Sequence, residues 1–252
     1  MSGRVTIVGL GPGPADWMTP EASRAIAAAS DVVGYRPYVG RLALRPDQRV
    51  HDSDNRAELI RARLALRLAA EGRAVAVVSG GDPGVFAMAA AVFEAVEEDP
   101  RWLELDIAVS PGVTAMHAAA ARLGAPLGHD FCAISLSDNL KPWAIVERRL
   151  RAACEGDFVI ALYNPASRAR PARVVEAFDL LRRFKAQTTP VAFARAVGRD
   201  GEALTLATLG EADARLADMA TLVVVGSSET RFISRDGARL WMLTPRAYGA
   251  GR

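Results

Sequence analysis

The sequence is almost without lysine. Only Lys141 and Lys185 occur, which leaves 29 arginines among the 31 basic residues. Two readings of that excess stand side by side. One is a composition bias of the source; the other is a ligand bearing many carboxylates, because the planar guanidinium fork matches carboxylate geometry. Charge of one sign is also lacking. A formal charge of +2 is too balanced for a nucleic-acid clamp. Two cysteines, Cys132 and Cys154, make no disulfide framework and point to a reducing cytosol. No basic segment followed by an apolar one opens the chain, and no run reaches the roughly 18 apolar residues of a membrane span. A cytoplasmic protein with no membrane partner is expected. Aromatics make up only 6 %, so the core must be built from Ala, Val, Leu and Ile, which suits close helix–sheet packing.

What is present is a chain of 252 residues, half of them hydrophobic and 24 % charged. That composition excludes disorder as the main state and allows one large domain or two small ones. Short β-branched runs alternate with helical stretches. Val5 to Gly9 predicts a strand buried on both faces. Thr19-Pro20-Glu21 then opens a helix running to about Ser30, with Thr as cap and Pro in the first turn. Val32–Val33 is a short strand. Asn55 to Glu71 is a helix ended by Gly72, Val75 to Ser79 a strand, Val85 to Glu97 a helix and Leu105 to Ser110 a strand.

Ser110-Pro111-Gly112 marks a boundary, giving domains of residues 1–112 and 113–252. Beyond it, helices are expected at Thr114–Leu123, Trp143–Ala153 and Pro171–Phe184, with strands at Phe131–Leu136 and Phe158–Tyr163. Three further strands, Val191–Arg195, Ala203–Thr208 and Thr221–Gly226, lie too close together for parallel crossovers and need antiparallel partners. The fold class is therefore α/β, with a mostly parallel N-terminal sheet and a mixed C-terminal one. There is no internal repeat and no low-complexity tract.

Several familiar chemistries fail on inspection. Gly9-Leu10-Gly11-Pro12-Gly13-Pro14 begins like a dinucleotide fingerprint, but Pro14 replaces the third glycine and the helix starts only at Thr19–Pro20. Asp31 begins the second strand, whereas a ribose-binding acid should end it. Pro12 and Pro14 also lack the N–H groups of a pyrophosphate cradle. A nucleotide-dependent oxidoreductase is thus disfavoured, and no Walker loop occurs. His51, His117 and His129 show no ligand spacing with each other or with the cysteines, so no metal site is expected. Val77 breaks a nucleophile elbow at Ser79, and Cys132 alternates with apolar neighbours as a core residue would.

Four loops rich in Gly, Pro and small polar residues remain at predicted strand ends. They are Gly9–Pro14, Gly80–Gly84, Ser110–Ala115 and Tyr163-Asn164-Pro165. Each alone reads as an ordinary turn. Together, at the carboxyl ends of successive strands, they suggest a site where bare backbone approaches a small cofactor.

These segments carry a resemblance. VGLGPG (Val8–Gly13), SGGDPG (Ser79–Gly84), SPGVTA (Ser110–Ala115) and TLVVVG (Thr221–Gly226) occur in the order found in the tetrapyrrole (corrin/porphyrin) methylases, which the chain resembles over nearly its whole length. GYRPYV (Gly34–Val39), ALYNPASRAR (Ala161–Arg170) and the turn Gly198–Glu202 resemble one branch, the precorrin-3B C-17 methyltransferases of cobalamin synthesis. The resemblance implies a two-domain fold with the cofactor S-adenosylmethionine in the cleft between domains, S-adenosylhomocysteine as product, and a homodimer. It further implies methylation of precorrin-3B at carbon 17 with contraction of the ring to precorrin-4. Methylation of a precorrin or cobalt-precorrin at another ring carbon is the nearest alternative, and a non-catalytic tetrapyrrole carrier a more distant one.

By the same resemblance Pro12, Gly80, Gly81, Asp82, Val85, Thr114, Ala115, Tyr163, Val197 and Thr221 fall on cofactor positions. Gly11, Gly13, Arg36, Arg168, Arg170 and Arg195 are placed against the carboxylate rim of the macrocycle. Arg61, Arg63 and Arg67 read instead as solvated helix faces. Many relatives have Asp directly after the glycine loop; here that place is Pro14, with Asp16 two residues on. The proton-transfer group is therefore open among Asp16, Ser137, Tyr163 and Asn164. Asp16 could equally favour a helix N-terminus, and Ser137 could cap a turn.

Overall fold

A computed structural model of the protein describes residues 3–166, 172–235 and 239–249. The chain divides into two compact units, Met1–Ala115 and Met116–Arg252.

In the first unit β1 (Arg4–Gly9), α1 (Pro20–Ala28), β2 (Asp31–Tyr35), α2 (Arg36–Val39), β3 (Arg49–Ser53), α3 (Glu58–Ala70), β4 (Ala74–Ser79), α4 (Met88–Glu98) and β5 (Asp106–Ser110) follow one another. The five strands form one sheet in the order β3-β2-β4-β1-β5, with every pairing parallel. Side chains alternate between two apolar layers. Val5, Ile7, Val75 and Val77 pack against α3 and α4, whereas Val8, Ala76 and Val78 pack with Ala22 and Ile26 of α1. A sheet covered on both faces explains why these strands are continuous apolar runs. The buried members of both layers are Ala, Val, Leu, Ile and Met, as the scarcity of aromatics predicts.

Local signals set the helix ends. The Thr19 hydroxyl accepts the Ala22 amide at 3.1 Å, with Pro20 in the first turn of α1. Gly72, at φ +88°, takes the left-handed conformation just past α3. By contrast α4 starts at Met88, three residues later than the periodicity predicts, because the chain is still turning at Phe86 with φ +53°.

The second unit holds α5 (Ala115–Leu123, whose first residue closes the first unit), β6 (Gly124–Ala125), β7 (Phe131–Ser135), α6 (Trp143–Glu155), β8 (Val159–Tyr163), α7 (Ala172–Phe184), β9 (Pro190–Arg195), β10 (Ala203–Thr208), β11 (Thr221–Val225), β12 (Arg231–Arg235) and β13 (Arg239–Leu243). Its main sheet runs β10-β9-β11-β8-β7. The β7–β8 pair is parallel and the other pairs antiparallel, as the close spacing of β9, β10 and β11 requires. Phe178 of α7 stacks on Phe193 of β9 at 5.8 Å in its core. A small sheet of β12, β13 and β6 completes the unit.

Two polar clusters support the first sheet. Asp31, its side chain only 1 % exposed, accepts from Ser30, lies 2.8 Å from His51 Nε2 and takes a 2.9 Å ion pair from Arg73. Burial pushes its pKa up, but His51, Ser30 and Arg73 together outweigh that and hold it below the ordinary carboxylate value. A depressed carboxylate contributes stability in full above its unfolded value of about 3.9 and loses it as pH falls through the folded value. Asp31→Ala would leave Arg73 only its 3.5 Å contact with Glu71 and open a buried gap, and is expected to cost about 2 kcal/mol in urea unfolding at pH 7. The difference from wild type should shrink below about pH 4. Equal stabilities at pH 7 would refute this role.

Arg61 corrects an expectation. It does not lie on a solvated face: its side chain is 5 % exposed and donates to Ser53 Oγ at 3.0 Å and to the Asp54 carbonyl at 2.8 Å. The reason is β3, a polar edge strand with little apolar signal, whose end provides those acceptors. Arg63 does follow the expectation, pairing with Glu98 on the surface.

Candidate functional site

The sheet register builds the site. β1 is flanked by β4 and β5, with Gly9 opposite Ser79 and Val8 opposite Ser110. The loops leaving these three neighbouring strands therefore start side by side. They meet through main chain. Gly11 and Gly81 form an antiparallel bridge, Gly11 N–H to the Gly81 carbonyl at 3.1 Å and Gly81 N–H to the Gly11 carbonyl at 3.0 Å. Both glycines have positive φ, +68° and +71°. A Cβ on Gly112 would stand 2.3 Å from the Gly81 carbonyl oxygen, and one on Gly9 would stand 2.6 Å from the Gly112 nitrogen. Three loops thus touch at a joint that side chains would force apart.

Asp82 ties the joint together. One carboxylate oxygen accepts the Gly84 amide at 2.8 Å and the other accepts the Gly112 amide at 3.0 Å. Asp82 therefore acts by holding the second and third loops in register. On the first loop, the Arg41 guanidinium donates to the Gly13 carbonyl. The sequence did not point to Arg41, and it marked Gly9 and Gly112 only as members of their loops. Arg41 lies just past the GYRPYV segment that marks the branch, which is the one signal that could have found it. A small cavity of about 50 Å³ adjoins this loop, lined by residues including Leu10, Gly13, Met18 and Arg41, with room for a few waters.

Not every glycine in the joint is filled. At Gly81 the nearest atoms to an added Cβ are the Ala115 nitrogen, Thr114 Cα and Val113 carbonyl oxygen, all 3.9 Å away. Here a bare backbone faces the amide that starts α5 and an adjacent carbonyl. Such a cradle offers both donor and acceptor to a nucleoside or an amino-acid moiety, so these residues fit S-adenosylmethionine. Pro12 and Val85 lie half-buried on the same loops, Val85 bonded through its amide to the Asp82 carbonyl. Asp16 sits exposed in a 3-10 turn, Ala15–Trp17, without a hydrogen bond or ion pair among the described residues.

In the second unit the ends of β7 and β8 bring three predicted residues together. Asn164, at φ +51°, donates through Nδ2 to Ser135 Oγ at 3.0 Å, and the Ser137 amide bonds to the same oxygen at 3.3 Å. The Tyr163 hydroxyl accepts the Met116 amide at 3.0 Å, in the first turn of α5. A second group forms where β9 and β11 pair, Arg195 opposite Thr221. Arg195 Nε contacts Asp218 at 2.9 Å, and the Thr221 hydroxyl donates to the other Asp218 oxygen at 2.7 Å. Burial pushes the Asp218 pKa up; Thr221 and Arg195 reverse that and hold it low. Val197 follows at a buried position beside Ala196, whose φ is +48°.

Arg36 is exposed and paired with Asp52 at 2.9 Å, so it would have to exchange that partner for a ligand carboxylate. Arg168 and Arg170 lie outside the described residues. Among the described residues no three His, Cys, Asp or Glu side chains converge, and no helix is long and apolar enough to cross a membrane. Ser79 is buried and accepts the Met88 amide at 3.5 Å, a structural duty at the start of α4. Burial pushes the Cys132 thiol up to about 11, which keeps it protonated in the core.

Comparison with known proteins agrees with the motifs. The family model of the tetrapyrrole (corrin/porphyrin) methylases matches residues 4–213. A Sinorhizobium protein named precorrin-3B C(17)-methyltransferase is 59 % identical, the match covering 98 % of each chain. The crystal structure of the methyltransferase CobJ superposes with a TM-score of 0.93 at 52 % identity, covering 97 % of this chain and all of that one. A Thermus thermophilus uroporphyrin-III C-methyltransferase, solved with S-adenosylhomocysteine, superposes at 0.65 with 25 % identity, covering 89 % of this chain and 92 % of that one.

Proposed function

Because this chain belongs to the tetrapyrrole (corrin/porphyrin) methylases, we propose that it transfers a methyl group from S-adenosylmethionine to carbon 17 of precorrin-3B, contracting the macrocycle to precorrin-4. The observation that supports this most is near full-length likeness to a relative bearing that name. When bound, the cofactor supplies an electrophilic methyl on a sulfonium. The chain's own task is then positioning, and alignment at about 3–3.5 Å can contribute several kcal/mol.

The Gly81 cradle and the amide of Ala115 hold the cofactor, with Pro12, Gly80, Val85 and Thr114 around it and Asp82 fixing the loops. Tyr163, Val197 and Thr221 are further cofactor contacts. Gly11, Gly13, Arg36, Arg168, Arg170 and Arg195 receive the carboxylate-rimmed substrate, for which guanidinium forks are suited. Asp16 is exposed and has no hydrogen bond or ion pair among the described residues, so it can take or return a proton without first breaking such a bond. Ser137, Tyr163 and Asn164 form the second candidate group for proton handling. Assembly as a homodimer and a cytoplasmic location belong to the same reading.

The test is incubation with precorrin-3B and methyl-labelled S-adenosylmethionine, with mass and NMR analysis of the product. The label is expected at carbon 17 of a contracted ring. Label at another carbon would move the chain to a different methylation step, and no incorporation would overturn the proposal.

A further inference from the structure

Tyr38 lies on α2, outside the cofactor and substrate positions named above. Its ring rests on the second glycine loop. A Cβ built on Gly80 would stand 2.6 Å from Tyr38 Cζ, 2.9 Å from Cε1 and 3.0 Å from the hydroxyl oxygen, so the phenol covers Gly80 main chain directly. Tyr35 holds the ring from the side, edge to face, with centroids 5.2 Å apart. Body and ring are therefore fixed, and Tyr38 is half-buried against the Val8–Val32 layer. Its hydroxyl makes no hydrogen bond among the described residues. The hydroxyl is reached by solvent and is available to donate to a ligand.

The surroundings favour an anionic partner. The buried Arg61 guanidinium lies within electrostatic reach of both Tyr38 and Tyr35. Its charge is only loosely answered: Glu58 is 3.5 Å away, the two close acceptors are the neutral Ser53 hydroxyl and Asp54 carbonyl, and its Nε has no partner among the described residues. A hydroxyl donor at a loop rim, backed by a buried cation, suits a carboxylate.

We propose that the Tyr38 hydroxyl donates a hydrogen bond to a carboxylate of the ligand bound at the Gly80 loop. This rests on the function proposed above. Two ligands bring that chemistry, the amino-acid end of the cofactor and the rim of the macrocycle.

Tyr38→Phe keeps the ring on Gly80 and removes only the donor, so its melting temperature should match wild type. Calorimetry with S-adenosylhomocysteine and steady-state kinetics with precorrin-3B then separate the two sources. A dissociation constant raised at least tenfold identifies the cofactor carboxylate. An unchanged dissociation constant with KM for precorrin-3B raised at least tenfold identifies the macrocycle. If neither moves, Tyr38 contacts no ligand carboxylate. If wild type itself binds no S-adenosylhomocysteine, the functional reading fails first, and that outcome is distinct.

Discussion

Gly112→Ala is expected to bind S-adenosylhomocysteine at least a hundredfold more weakly than wild type in calorimetry, about 2.8 kcal/mol. The new Cβ would stand 2.3 Å from the Gly81 carbonyl oxygen and 2.9 Å from Gly9 Cα. Both are main-chain atoms at strand ends, so no side chain can swing away to make room. One loop must shift, and with it the Gly81 cradle and its bridge to Gly11. Gly40→Ala is the matched control, since its added Cβ meets nothing closer than 3.4 Å. The control should bind like wild type. Wild-type affinity in Gly112→Ala would show that the loop joint does not shape the cofactor site.

Asp82→Ala is expected to weaken the same binding by at least thirtyfold, about 2 kcal/mol. Its carboxylate is the shared acceptor for the Gly84 and Gly112 amides, and charged acceptors of this kind contribute about 1.5–3 kcal/mol each. Removing both leaves two loop amides to find water and frees the second loop from the third. Asp82→Asn should fall between the two proteins, because an amide oxygen can serve one N–H while its NH2 group opposes the other. The order wild type, Asn, Ala separates an organising role from a purely electrostatic one, in which Asn and Ala would lose alike. Unchanged affinity in both variants would remove Asp82 from the site.

Much of this site was legible as a pattern, though its internal logic was not. The glycines of VGLGPG, SGGDPG and SPGVTA suggested bare backbone approaching a ligand. Gly9 and Gly112 turn out to be bare for each other, whereas a Cβ on Gly81 would meet nothing closer than 3.9 Å. Which glycine faces a neighbour loop depends on strands 70 and 100 residues apart becoming neighbours, and no local spacing records that. Arg61 failed for a related reason: helical periodicity placed it on a wet face, but its acceptors sit at the end of β3. That strand escaped detection because it lies at a sheet edge with a polar sequence, where no apolar alternation is needed.

Most strands and helices, the parallel first half and mixed second half, and the family itself were determined by the sequence alone. Buried β-branched runs, caps such as Thr19 and the separation of strands along the chain are local or near-local constraints, so they can be read one segment at a time. The tertiary structure alone decided the order β3-β2-β4-β1-β5, and with it which loops share a joint. It also decided that Asp82 fastens two of them and that Tyr38 lies on Gly80. Those are contacts between residues far apart in sequence, and their geometry follows from sheet register and packing, which no stretch of residues contains by itself.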